Sequence, residues 1–229
     1  MAARHSENKP MVPDLLSVYR TLLDYYGHRN WWPGQTPIEI IIGAILTQNT
    51  AWKNVERAIA NLKAHKMVSA RALIRIDEKD LAELIRPSGY YNIKARRLKS
   101  FANFLEQNYR GSLAAMFRQP LERLRQEILQ INGIGPETAD SILLYAGGLP
   151  IFVVDLYTHR VVTRHGWLNE KADYHEIQRW FTTNLPEDIG LYNDFHAQIV
   201  AVGNEFCRAK PRCEDCPLRD FLPRKGVFA

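Results

Sequence analysis

Residues 128–146 read ILQINGIGPETADSILLYA. The apolar spacing of this stretch is helical, yet Gly133 and Gly135 interrupt it and Pro136 follows at once. Glycine costs about 1 kcal/mol in a helix interior and proline about 3, so the cluster marks a break between two helices. A helix over 121–131, a turn over 132–135 and a second helix from Pro136 onward satisfy that reading. Pro136 then occupies the first helical position, where its missing N–H is no loss. Two glycines allow a sharp turn and let a ligand approach without Cβ atoms in the way. Amides of Gly133, Gly135 and the next helix's first turn would point outward, and such a nest at a helix N-terminus attracts phosphate. A backbone grip of this kind reads no base sequence. An ordinary glycine-containing helix connection would look the same locally, so the surroundings have to decide.

Outward from the turn, apolar residues recur at helical spacing almost everywhere. Leu15, Val18, Tyr19, Leu22 and Leu23 make one stripe; Val55, Ala58, Ile59 and Leu62 a second; Leu98, Phe101, Phe104 and Leu105 a third. Others run through Leu121, Leu124 and Ile128, through Tyr174, Ile177, Trp180 and Phe181, and through Phe195, Ile199, Val202 and Phe206. IEIIIGAIL (residues 38–46) is apolar on all sides, and with no alternating partner strand anywhere it reads as a central buried helix. The expected fold class is all-α.

The 229 residues, 46% of them hydrophobic, suffice for one large domain or two small ones. No apolar run is long enough to span a bilayer, and the opening MAARHSENKP lacks the apolar stretch of a secretory signal. A soluble cytoplasmic chain is expected. The net charge of +5 favours a polyanionic partner only mildly. Cys207, Cys213 and Cys216 lie close together, and in a cytosolic setting such clustering suggests ligation rather than a disulfide.

Twenty residues beyond Gly135 comes IFVVDLYTHR (151–160), where an apolar run stops at Asp155 and a helical stretch begins. Asp155 reads as a helix N-cap. The amides and dipole of a helix N-terminus favour a charged carboxylate, which suits a group that faces developing positive charge.

INGIGPETAD followed by VVDLYTHRV resembles the helix-hairpin-helix and Gly/Pro–Asp signature of the endonuclease III superfamily of DNA glycosylases. ILTQNT (45–50), GYYNIKARRL (89–98) and the terminal cysteines agree with it in order, over most of the chain. The resemblance implies two helical domains with a DNA-binding groove between them: a six-helix barrel over 37–146 that holds the hairpin (121–146), and a second domain from 1–36 and 147–229 with a cysteine loop (207–222). It also implies that the hairpin grips a phosphate through Gly133, Ile134 and Gly135, and that Asp155 drives cleavage of the bond between base and sugar. Gln48 matches a residue that fills the gap left by a flipped base, and Tyr90 one that wedges into the opposite strand. Lys94, Arg96 and Arg97, which follow Tyr90, are candidates to meet phosphates.

Members that also cut the strand resemble GVGRKTA at the hairpin, with a lysine that attacks the sugar. Here Glu137 stands at that position. A carboxylate forms no Schiff base, so base release without lyase activity is expected. WWPGQTPIEIIIGAILTQNTAW (31–52) is similar to the 3-methyladenine DNA glycosylases of the group, whose hairpin resembles GIGKESAD. Carried over, the base pocket is Trp31, Trp32, Pro33 and Trp52 with Glu137, although a phenylalanine is usual where Trp52 stands. The implied activity is excision of alkylated purines from double-stranded DNA by a monomer acting in the cytoplasm or nucleoid. The alternatives are an endonuclease III-like enzyme for oxidised or mismatched pyrimidines, and a non-catalytic DNA-binding module.

CRAKPRCEDCPLRDFLPRK (207–225) resembles the C-x6-C-x2-C-x5-C loop of a [4Fe–4S] cluster, but the first interval is one residue short and the fourth position falls at Leu222. A cubane takes four thiolates. A carboxylate such as Asp220, an external ligand, a zinc site with another donor, or loss of the cluster would each account for three. Arg208, Lys210, Arg212, Arg219, Arg224 and Lys225 of this loop are further candidates to touch DNA.

Overall fold

The computed structural model describes residues 13–223 and residue 226, so Arg224 and Lys225 lie outside the described residues. Among the described residues there is no strand. The α-helices are α1 (Leu15–Tyr26), α2 (Pro37–Leu46), α3 (Trp52–Ala64), α4 (Ala70–Arg75), α5 (Glu78–Leu84), α6 (Tyr91–Tyr109), α7 (Leu113–Met116), α8 (Leu121–Leu129), α9 (Pro136–Ser141), α10 (Leu156–Arg164), α11 (Tyr174–Asn184) and α12 (Ile189–Glu205). The described residues divide into two compact units, one formed by Trp31–Ile151 and the other by the described residues up to Asn30 together with those from Phe152 on.

In the continuous unit α2 is the centre. Thr36 caps it by accepting from the Glu39 N–H, and Pro37 opens its first turn. Ile41, Ile42, Ile45 and Leu46 are fully buried, as the all-round apolar sequence requires. Each such side chain contributes about 1.5–3 kcal/mol on burial. α3 packs its Val55, Ala58, Ile59 and Leu62 stripe inward, and α6 lays Leu98, Phe101, Ala102 and Leu105 against its neighbours. This unit begins at Trp31 and ends at Ile151, not at 37 and 146 as the sequence suggested. The reason is packing: Trp31 and Trp32 lie in ring contact with Trp52, so the segment before α2 belongs to the same core.

The discontinuous unit is built on α12, which packs against α1 and α10. Phe152 stacks on Phe181 with ring centroids 4.0 Å apart, and Phe195 meets both rings edge-on. Asp194 is the polar knot of this core. Its carboxylate accepts from the Arg29 N–H at 2.8 Å and the Tyr19 hydroxyl at 2.9 Å.

Candidate active site

The hairpin turn of the continuous unit lies between α8 and α9. The Ile134 N–H donates to the Ile131 carbonyl at 3.0 Å, closing the turn. The two arms are locked by a fork: Arg125 Nε donates to Asp140 Oδ1 at 2.7 Å and Nη2 to Oδ2 at 3.0 Å, with the Asp140 side chain fully buried. The glycines have different jobs. Gly133 has φ +84°, a left-handed backbone that favours glycine, and an added Cβ would stand 2.4–2.8 Å from the Arg97 side chain. Gly135 has extended backbone as the N-cap of α9, and a Cβ there would meet nothing within 4 Å. Gly133 is therefore required by the protein, while Gly135 is bare toward open space. Ile134 lies between them with its side chain buried and its N–H taken by the turn.

Gln48 reaches this turn. Its Nε2 donates to the Gly133 carbonyl at 3.1 Å and to Thr138 Oγ1 at 2.9 Å, and its Oε1 accepts from Arg97 Nη1. The amide thus ties the segment after α2 to the hairpin. Tyr90 is 68% exposed and holds a left-handed backbone (φ 46°) at the N-terminus of α6. Such a conformation in a bulky residue is rare and clusters at functional positions. Lys94 corrects the sequence reading: it is fully buried and meets no solvent. Arg97 covers the hairpin glycine, and Arg96 stays exposed, 3.7 Å from Glu78.

Three of the five tryptophans form one cluster. Trp31, Trp32 and Trp52 contact each other at centroid separations of 5.2–5.4 Å, and Tyr145 joins Trp32 at 5.2 Å. Tyr145 comes from a π-helical turn (Ile142–Ala146) that continues α9, a winding often found at functional sites. The Trp52 indole donates to Glu56 at 2.9 Å, whereas the buried Trp32 Nε1–H has no hydrogen-bond partner. Gly43 of α2 faces the Trp32 ring, where a Cβ would lie 3.1 Å from Nε1. Pro33 is exposed beside the cluster, and Glu137 is exposed in the first turn of α9. Tyr145 and Gly43 carried no signal in the sequence beyond ordinary helical residues.

In the discontinuous unit Asp155 caps α10. Its Oδ1 accepts from the Thr158 N–H at 2.7 Å and from the Thr158 hydroxyl at 2.8 Å. Oδ2 lies 3.8 Å from His196 Nε2, with the Asp155 side chain 13% exposed. Burial pushes the His196 pKa below the ordinary histidine value, and the Asp155 carboxylate partly offsets this. His196 comes from α12, more than forty positions away in the chain, and was not singled out in the sequence.

The same unit carries the cysteine loop. Cys207, Cys213, Cys216 and Leu222 line a cavity of about 10 Å³, room for about one water molecule. Leu222 puts an apolar side chain where a fourth thiolate would stand, and Asp220 is exposed. Among the described residues no group of His, Cys, Asp or Glu is arranged to hold a metal ion. The residues present therefore do not fit a cubane cluster. Protein contacts hold the loop: Arg160 donates to the Cys207 carbonyl at 2.8 Å, and Arg164 to the Cys207 sulfur at 3.5 Å and the Arg208 carbonyl. Arg208, Arg212 and Arg219 likewise donate to backbone carbonyls nearby.

The segment from α2 to the end of α11, hairpin and Asp155 included, matches the family described as "HhH-GPD superfamily base excision DNA repair protein" over residues 42–187. The chain belongs to that superfamily. Among HhH-GPD relatives, the "Putative DNA repair glycosylase MJ1434" of Methanocaldococcus jannaschii is 51% identical over 213 residues, covering 92% of this chain and 96% of that one. Endonuclease III of Thermotoga maritima is 28% identical, over 83% and 85% of the two chains. Among solved structures, H. pylori 3-methyladenine DNA glycosylase (MagIII) bound to 1,N6-ethenoadenine superposes with a TM-score of 0.76 at 29% identity, covering 84% of this chain and 98% of that one. An endonuclease III–DNA complex gives a TM-score of 0.78 at 22% identity over 91% and 93%, a likeness of fold. Among the described residues no helix is long and apolar enough to cross a membrane.

Proposed function

We propose that this HhH-GPD protein is a monofunctional DNA glycosylase that excises alkylated purines from duplex DNA. The observation that carries the reading is the cluster of Trp31, Trp32, Trp52 and Tyr145, electron-rich faces gathered on one unit. A purine alkylated at N3 or N7 is cationic, so it leaves readily and needs no strong general acid. It needs extrusion, which costs a few kcal/mol, and a cation–π surface, which contributes about 0.5–2 kcal/mol per contact. The likeness to MagIII, whose structure holds an ethenoadenine, supports the same substrate class.

In the reaction the C1′–N bond breaks and its electron pair leaves with the purine, neutralising it. Asp155 stabilises the positive charge that develops on the sugar. Water then forms the C1′–O bond and gives up its proton to the carboxylate. Thr158, by donating twice to Oδ1, orients Asp155 and leaves Oδ2 for this work. With Glu137 where strand-cutting relatives place an amine, no Schiff base forms and the abasic strand stays intact. The hairpin binds backbone phosphate at Gly135. Tyr90 wedges into the stack, and Gln48 exchanges its hairpin bonds for the gap left by the extruded base. No step passes through the cysteine loop.

The test is incubation with methylated duplex DNA, chromatography of the released bases, and scoring of strand breaks before and after alkali. Release of 3-methyladenine with breaks only after alkali is expected. No release of alkylpurine, or breaks without alkali, would overturn the reading of the tryptophans and Glu137.

A further inference from the structure

Lys94 has no role so far, and its position is costly. It sits on α6 with 0% exposure, and a buried ammonium is tolerated only where its donors are used. Nζ donates to the Leu46 carbonyl at 2.8 Å and to the Ser88 carbonyl at 2.7 Å. Leu46 ends α2, two residues before Gln48, and Ser88 lies two residues before Tyr90. Thr50 Oγ1 adds a second bond to the Ser88 carbonyl at 2.7 Å, from the same side as Gln48 in sequence. Both turns end in a non-glycine residue with left-handed backbone, Asn49 (φ 53°) and Tyr90 (φ 46°), a geometry that persists only where the surroundings over-determine it. Ile93, one helical turn after Tyr90, is a second exposed apolar residue at the same tip.

We propose that Lys94 is a positioning residue that ties the turn carrying Gln48 to the turn carrying Tyr90, so that the gap-filling and wedging side chains meet the base stack at a fixed spacing. This rests on the reading that those two residues enter DNA. A methionine would fill the same space without a buried charge, so the lysine is retained for its two donors. Burial, and then the neighbouring Arg97 charge, push its pKa down to about 8. The two carbonyl bonds need only two of the three N–H groups, so the tie survives loss of the proton.

The experiment compares wild type, Lys94→Met and Thr50→Val on a duplex carrying 2-aminopurine opposite a stable abasic analogue, a fluorescence signal that needs no excision. Misplacing reacting or positioning groups by about 1 Å costs on the order of 100-fold. Lys94→Met should therefore slow unstacking by about 10- to 100-fold. Its affinity for undamaged duplex, held through backbone phosphates, should stay within about 3-fold with the same salt slope. Excision of a methylated purine from single-stranded DNA, which requires no wedge, should change far less than excision from duplex. Were Lys94→Met not to fold, Thr50→Val, which removes one bond to Ser88, should show the same pattern at about 3- to 10-fold. Unstacking at the wild-type rate, or equal losses on duplex and single-stranded substrates, would overturn the proposal, as would absence of unstacking in the wild type. Normal wild-type unstacking without release of alkylpurine would instead remove the substrate assignment and leave the positioning role standing.

Discussion

Gly133 and Gly135 stand two residues apart in one turn, and the structure predicts that they fail in different ways. In Gly133→Ala the new Cβ carries a left-handed backbone, which costs about 1–2 kcal/mol for an L-residue. It also stands 2.4–2.8 Å from three Arg97 atoms, so that side chain must move and its bond to Gln48 is lost or lengthened. A lost hydrogen bond adds about 1 kcal/mol, against a gain of about 0.4–1 kcal/mol from stiffening the unfolded chain. The net destabilisation is about 1–2.6 kcal/mol, or a fall in Tm of about 2–10 °C at 2–4 °C per kcal/mol for a chain of this size. In Gly135→Val the backbone is already extended and the space around Cβ is open, so stability should move by less than about 0.5 kcal/mol. The branched side chain then occupies the ground a phosphate would use. Losing a charge-assisted bond costs about 1.5–3 kcal/mol, which is about 10- to 150-fold in affinity. Thermal melts and fluorescence anisotropy over a salt series on two unrelated duplex sequences separate the cases. The division of labour is refuted if Gly135→Val melts as low as Gly133→Ala, or if its affinity falls on one DNA sequence and not the other.

Other perturbations test other parts. Asp155→Asn keeps an acceptor for Thr158, since asparagine caps a helix about as well as aspartate. Stability and DNA affinity should hold while single-turnover excision falls on the order of 100- to 1,000-fold; retained excision would remove Asp155 from the chemistry. Gly43→Ala gains about 1 kcal/mol of helix propensity, but its Cβ presses on the Trp32 indole at 3.1–3.5 Å. Near-neutral stability with a several-fold loss of alkylpurine release is expected, and an unchanged release rate would show that Trp32 does not line the base pocket. Lys94 gives a pH signature. The unfolded chain holds this proton up to about 10.5 and the folded chain releases it at about 8, so the unfolded state binds more protons between those values. The Lys94 contribution to stability therefore rises with pH through that window and is flat below it. Chemical denaturation of wild type and Lys94→Met across the range should show that rise in the difference between the two, because burial raises the pKa of the Cys216 thiol and of the Tyr19 and Tyr109 hydroxyls in both proteins alike.

The all-α class, the helix break at Gly133–Gly135, the buried α2 and the cap at Asp155 were legible in the sequence because each is local. Helical period, the backbone limits of glycine and proline, and the need of a helix N-terminus for an acceptor act within a few residues. The cysteine spacing likewise shows three thiols where a cubane takes four, and Leu222 lines the cavity beside them. Other features belong to tertiary structure. Lys94 read as a surface cation because lysine is so rarely buried, although it lies four residues before Leu98 on the same stripe of α6; only the approach of the Leu46 and Ser88 carbonyls makes that burial tolerable. The unit boundary shifted to Trp31 because aromatic contacts with Trp52, not chain composition, assign that segment. Tyr145, Gly43 and Arg97 took their places through packing against residues distant in sequence. His196 faces Asp155 because α12 packs on α10, an arrangement set by the burial of whole helix faces, which no short stretch of sequence encodes.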